Sequence, residues 1–150
     1  MPGTTNAIES TAGSATRAVG CDSRMTRGAS SVPVLMHDNL PVSFDAIERQ
    51  LQAYNTHDAN AFAASFTEDV VIEDLDGAVL MRGRDEVRSR YAELFAAQPD
   101  RQAEIVSRMR VGSYVVDEER ITGVGDEGMH ALAIYRIDAD GLIDRVRFVR

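Results

Sequence analysis

Few residues in this 150-residue sequence have both the chemistry and the setting to move a proton. Asp74 stands in the run Glu73-Asp74-Leu75-Asp76-Gly77, while Gln50, Tyr54 and Tyr91 fall in segments with helical apolar spacing. A carboxylate in a dry site gains proton affinity, and within hydrogen-bond reach it can accept a proton from carbon beside a carbonyl. The enolate oxygen that forms needs a hydrogen-bond donor, often the largest single contribution to the rate. Gln50 and Tyr54 are spaced i,i+4, which puts both on one side of a helix where they can donate. Each residue also fits a structural role. Carboxylates ahead of an Asp-Gly turn commonly accept backbone amides, and tyrosines in apolar stripes commonly belong to a core in which their hydroxyls need a partner.

The remaining titratable groups point elsewhere. His130 opens a strand and alternates with Leu132 and Ile134, opposite Ala131, Ala133 and Tyr135, so it is expected on the outer face or at a subunit interface. In Asp117-Glu118-Glu119-Arg120, Glu118 and Arg120 share one face and Asp117 and Glu119 the other. A solvated edge is the favoured reading for these acids, with Arg145 and Arg147 able to meet them across a dimer. Three scattered histidines and one cysteine, Cys21, give neither a metal-ligand set nor an internal disulfide, so no metal and no cofactor are expected.

The elements that must position these groups begin near Pro41. Residues 1–40 read as a low-complexity tail of Ser, Thr, Gly and Ala, with Met25 and Met36 as alternative starts and an arm around a partner subunit as the rival reading. Ala18-Val19-Gly20-Cys21 faintly resembles a lipoprotein cleavage site, yet residues 1–17 carry neither an apolar core nor a basic start. Ser43 is the expected cap of a first helix striped by Phe44, Ile47, Leu51 and Tyr54 and ending at Asn55-Thr56-His57. Asp58 caps a short second helix with Ala59, Phe62, Ala63 and Phe66 on one face. Val70 to Leu75 is a strand closed at Asp76-Gly77, with Ala78 to Met81 returning along it. Gly83 opens a third helix bearing Val87, Tyr91, Leu94 and Phe95, stopped before Pro99. Residues 102–111, 113–122, 129–138 and 142–149 read as strands joined by turns too short for βαβ crossovers. Helices followed by adjacent strands define an α+β domain over residues 41–150.

Composition narrows the partners. Net charge is −8, which repels phosphate backbones and argues against nucleic acid. Nowhere is there an apolar run near the ~20 residues that span a bilayer, and a reducing cytoplasm is the default compartment for a chain with one cysteine.

Tyr54-Asn55-Thr56-His57-Asp58, Phe66-Thr67-Glu68-Asp69, Ile72-Glu73-Asp74 and Gly83-Arg84 together resemble the amino half of bacterial ketosteroid isomerases. Ile134-Tyr135-Arg136-Ile137 through Gly141-Leu142-Ile143 is similar to the strand–turn–strand of SnoaL-like polyketide cyclases. Both belong to the nuclear transport factor 2-like superfamily, and the likeness extends over about 110 residues. It implies a cone-shaped, curved antiparallel sheet packed against three N-terminal helices. It places the catalytic base on Asp74 and a network tyrosine on Tyr91. The family's oxyanion tyrosine falls on Gln50 and its partnering acid on Ala133, and both are departures. On this reading Phe66, Phe95, Ala131, Ala133, Tyr135, Val146 and Phe148 line an apolar pocket for a small carbonyl compound. Asp74 accepts a proton there, and Tyr54, Gln50 or Tyr91 donate. The activity implied is a cofactor-independent isomerase, cyclase or dehydratase, and the other reading is a ligand-binding or dimerisation module without chemistry. Sheets of this class often pair through their outer faces, which implies a homodimer. An open cone with Asp74 at its wall favours catalysis; a closed, filled cone favours the module.

Overall fold

The computed structural model describes residues 43–150, so the expectations for residues 1–40, including Cys21 and His37, lie outside the described residues. Helix α1 (Asp45–Asn55) puts Asp45 and Glu48 in its first turn, where carboxylates meet the positive end of the helix dipole. Its cap position is Phe44 and not Ser43; the Ser43 hydroxyl accepts the Asp45 amide at 3.4 Å. Helix α2 (Ala59–Ala63) is capped by Asp58, whose Oδ1 accepts the Ala61 amide at 2.9 Å. The helix is shorter than its apolar spacing suggests. Phe66 leaves it and opens β1 (Phe66–Asp74), pairing with Ile143.

β2 (Val79–Arg82) folds back antiparallel on β1, and Gly83 (φ +90°) carries the chain into α3 (Arg84–Ala97). Four strands follow: β3 (Gln102–Val111), β4 (Tyr114–Thr122), β5 (Met129–Ile137) and β6 (Ile143–Val149). They form one six-stranded sheet in the order β2-β1-β6-β5-β4-β3. The sheet is not wholly antiparallel, because β1 and β6 run parallel with Asp74 opposite Phe148. That pairing is reachable only because α3 and four strands lie between them in sequence, ample length for a parallel crossover.

The inner face of the sheet and the helices bury Ile47, Phe62, Phe66, Val70, Ile72, Val87, Val115 and Val146. Tyr54, Phe62, Tyr91 and Phe95 pack as an aromatic cluster, closest between Phe62 and Tyr91 with ring centroids 4.2 Å apart. Such tilted and edge-on contacts add to what burial alone supplies. Among the described residues no helix is long and apolar enough to cross a membrane.

Candidate functional site

Strand alternation decides what enters the cone. On β4, Val115 and Ile121 are buried inward, and period-2 geometry carries Asp117 and Glu119 to the same face. The two acids are therefore interior, not a solvated edge. Asp117 is fully buried and fully answered: Arg108 on β3 donates from Nε to Oδ1 at 2.6 Å and from Nη2 to Oδ2 at 2.8 Å. Arg108 also bridges to Glu48 on α1.

Glu119, only 6% exposed, has no cation within 4.0 Å among the described residues. Its Oε1 accepts the Tyr135 hydroxyl at 2.9 Å, and that hydroxyl accepts from Gln50 Nε2 at 3.3 Å. The chain Gln50→Tyr135→Glu119 has a fixed direction, since a phenol has a single proton to give. Burial pushes the Glu119 carboxyl up to about 7, opposed by the Tyr135 hydrogen bond and reinforced by the Asp117 charge. A buried carboxyl poised near neutrality is suited to both accept and return a proton.

Glu119 faces a narrow cavity of about 30 Å³. Gln50, Tyr54, Phe66, Tyr91, Tyr135, Val146 and Phe148, all expected at the site, line it, as does Ala131. Ile72, Ile121, Met129, Arg101 and Arg150 complete much of the wall. Arg101 donates from Nε to the Tyr54 hydroxyl oxygen, which leaves the phenol proton free to point elsewhere. Burial raises the Tyr54 hydroxyl above its ordinary range and the Arg101 contact lowers it again; Tyr91, wholly within the core, is raised further.

Two expected lining residues sit behind the wall. Phe95 packs edge-on against Tyr54 at 5.5 Å and stacks on His57 at 5.0 Å, and Ala133 is sealed between Asp117 and Phe148 in the sheet. Asp74 lies outside this cavity. It shares the inner face of β1 with Ile72, but its Oδ1 accepts the Ala78 amide at 2.9 Å across the hairpin turn. Its surroundings are an adjoining groove with Leu75 and Leu80, which shares Phe148 and Arg150 with the cavity. The sequence signal for Glu119 was the inward parity it shares with Val115 and Ile121; what was missing was Arg108, which pairs with one acid and leaves the other.

On the outer face, His130 Nε2 meets Glu118 Oε1 at 2.9 Å, and Ser107 donates to Glu118 Oε2 at 2.7 Å. Arg145 and Arg147 reach Glu73 of their own chain, at 3.3 and 2.6 Å, so these arginines are engaged without a second copy. Among the described residues no group of three His, Cys, Asp or Glu is gathered as a metal would require.

This combination, a helix-covered six-stranded sheet with a polar relay beside an interior cavity, defines a cystatin-like α+β domain. The SnoaL-like domain model matches residues 47–146, and the chain belongs to that family. Among solved structures, a cystatin-fold protein from Novosphingobium aromaticivorans is similar over 71% of this chain and 97% of its own, at 29% identity and TM-score 0.66. A candidate polyketide cyclase from Sinorhizobium meliloti matches 74% of this chain and 96% of its own, at 21% identity and TM-score 0.61. A protein with a ketosteroid isomerase-like fold from Catenulispora acidiphila, in complex with trimethylamine, matches 70% of this chain and 84% of its own, at 19% identity and TM-score 0.60. None of the curated proteins matches the sequence.

Proposed function

We propose that the chain is a cofactor-independent proton-transfer enzyme, an isomerase, cyclase or dehydratase of a small carbonyl compound, with Glu119 as its acid–base group. The observation that carries this reading is a buried carboxyl in the cavity wall, bonded through one oxygen to Tyr135 and with no cation within 4.0 Å among the described residues. In the ionised form, Glu119 Oε2 takes a proton from the carbon beside the substrate carbonyl. The C–H electron pair becomes the new C=C bond, and the carbonyl π pair moves onto oxygen. Tyr54, whose own proton is free because its oxygen accepts from Arg101, donates to that oxygen, with Tyr91 beside it. In a β,γ-unsaturated substrate the enolate is a dienolate, so return of the proton from Glu119 to its γ-carbon, as the pair on oxygen re-forms the carbonyl and the double bond moves to α,β, completes an isomerisation with no change in oxidation state. The complex of the Catenulispora acidiphila protein with trimethylamine supports a ligand of only a few atoms.

The test is hydrogen–deuterium exchange at the α-carbon of small ketones and enones, followed by NMR. Glu119→Gln is expected to lower the rate by at least about 10²-fold, the scale of general acid–base catalysis, with Asp74→Asn near wild type. The reverse result makes Asp74 the base, the assignment its place in the family pattern implies. A non-catalytic binding module is the second reading, favoured by the narrowness of the cavity; ligand binding with no exchange in any variant selects it. We also expect a homodimer formed through the outer face of the sheet.

A further inference from the structure

The cavity of this acidic chain opens beside a basic vestibule. An adjoining groove shares Tyr91, Arg101, Met129 and Arg150 with the cavity wall and adds Arg90, so three arginines and no acid line it. In a protein of net charge −8, with 24 acids against 16 basic residues, that local excess runs against the average. Arg90 is answered by Glu86 at 3.7 Å. The other two have only neutral partners among the described residues. Arg101 donates to Tyr54 and Gln98 with no carboxylate within 4.0 Å, and the Arg150 guanidinium lies 5.1 Å from the centre of the Phe148 ring. Arg101 is half-buried and Arg150 exposed, and neither has a side-chain carboxylate within 4.0 Å among the described residues; always charged and set beside a cavity, they are placed to receive an anion from outside. Arginine's planar fork suits a carboxylate in particular.

We propose that the site takes small oxo carboxylates, with the carboxylate held by Arg101 and Arg150 and the carbonyl end directed down the cone; this rests on the proton-transfer reading above. The arrangement fits the narrow cavity, because only a short carbon chain has to enter it while the charged end stays in the wider vestibule. It also couples binding to chemistry. Arg101 grips the phenol assigned as donor, so the seated carboxylate lies next to the group that receives the developing oxyanion. A carboxylate substrate, in turn, repels an ionised Glu119 and is bound best when that group is neutral or turned toward Tyr135.

The test is calorimetric titration of the full-length protein at pH 6 and low salt with acetoacetate, levulinate and their methyl esters. For wild type the acids are expected to bind at least about tenfold more tightly than the esters, with the preference shrinking as salt rises. The preference should fall toward unity in Arg101→Gln and partly in Arg150→Gln, and survive in Arg101→Lys and Glu119→Gln. Arg150→Gln keeps the Arg101–Tyr54 bond, so it separates anion binding from support of the phenol should Arg101→Gln fold poorly. Esters binding as well as the acids, no binding of either acid, or a preference untouched by both glutamine variants overturns the inference. If exchange is lost in Glu119→Gln while acids and esters bind alike, the proton-transfer reading stands and only the anion site falls. An acid preference with undiminished exchange in that variant has the opposite meaning.

Discussion

Glu119 and Asp117 are two residues apart, share a face and share burial, yet their electrostatic positions differ because one guanidinium reaches only one of them. That difference has a consequence for stability. Glu119 moves from 4.5 to about 7 on folding, so the folded chain holds its proton more tightly than the unfolded chain does. Below about pH 4.5 both states are protonated and no penalty applies. As pH rises toward 7 the unfolded chain releases its proton first, and stability falls with a full cost on the order of 3 kcal/mol above that range. Glu119→Gln keeps an acceptor for Tyr135 and removes the charge. Urea melts are therefore expected to show wild type losing stability between pH 4.5 and 7, a flatter profile for the variant, and the variant more stable at pH 8. Identical profiles would mean that Glu119 is not the buried, poorly solvated acid described here. The sequence carried the parity of this pair but not Arg108, whose distance of nine positions along the chain becomes contact only across the β3–β4 ladder. The Asp74 turn contact was legible, since Asp-Gly sequences announce their turns.

At the scale of elements, helix and strand limits were legible wherever apolar period, cap and turn residue agreed, as at Asp58, Gly83 and the four closing strands. They misled at Phe66, where continued helical spacing competed with a partner strand far along the chain and lost to the pairing with Ile143. A loop contact links one such element to the proposed vestibule. Gly123 (φ +74°) follows β4, and a Cβ on it would stand 2.2 Å from the Asp100 carbonyl oxygen and 2.6 Å from the Arg101 backbone nitrogen. Backbone atoms cannot yield as a flexible side chain does, and the positive φ adds its own cost for a non-glycine residue. Gly123→Ala is expected to destabilise the fold by roughly 2 kcal/mol or more, measured by thermal melting. Because the clash falls on the backbone that carries Arg101, oxo-carboxylate affinity should fall in the variant while it is still folded. Gly125→Ala, with open space around the same atom, is the control for that comparison; it tests strain at φ +60° without the collision.

For the molecule as a whole, the parallel β1–β6 pair closes the two ends of the domain onto each other, and no local pattern announces a pairing of that range. Its effect is to put Asp74 beside Phe148 and to bring the last strand into the cone wall, so the pocket is a property of the complete domain. The opposite face of the sheet is where the expected second copy would bind. Met109, Val111 and Tyr114 are 60%, 65% and 45% exposed there, next to a groove bordered by Val116, Leu132 and Val149. Exposed apolar surface of this kind, in one contiguous region, marks association sites more often than free solvent faces. A two-fold interface sets the same patch against itself, so a single substitution acts twice. Light scattering on the full-length protein is expected to give twice the 16.4 kDa chain mass. Leu132→Glu should return it to one chain, because it buries a carboxylate beside Glu118 and against its own copy across the two-fold. The groove lies outside the cone, so the monomeric variant should keep its α-carbon exchange rate. A wild-type mass of one chain, or a dimer indifferent to Leu132→Glu, removes this face as the interface and leaves the pocket assignments as they stand.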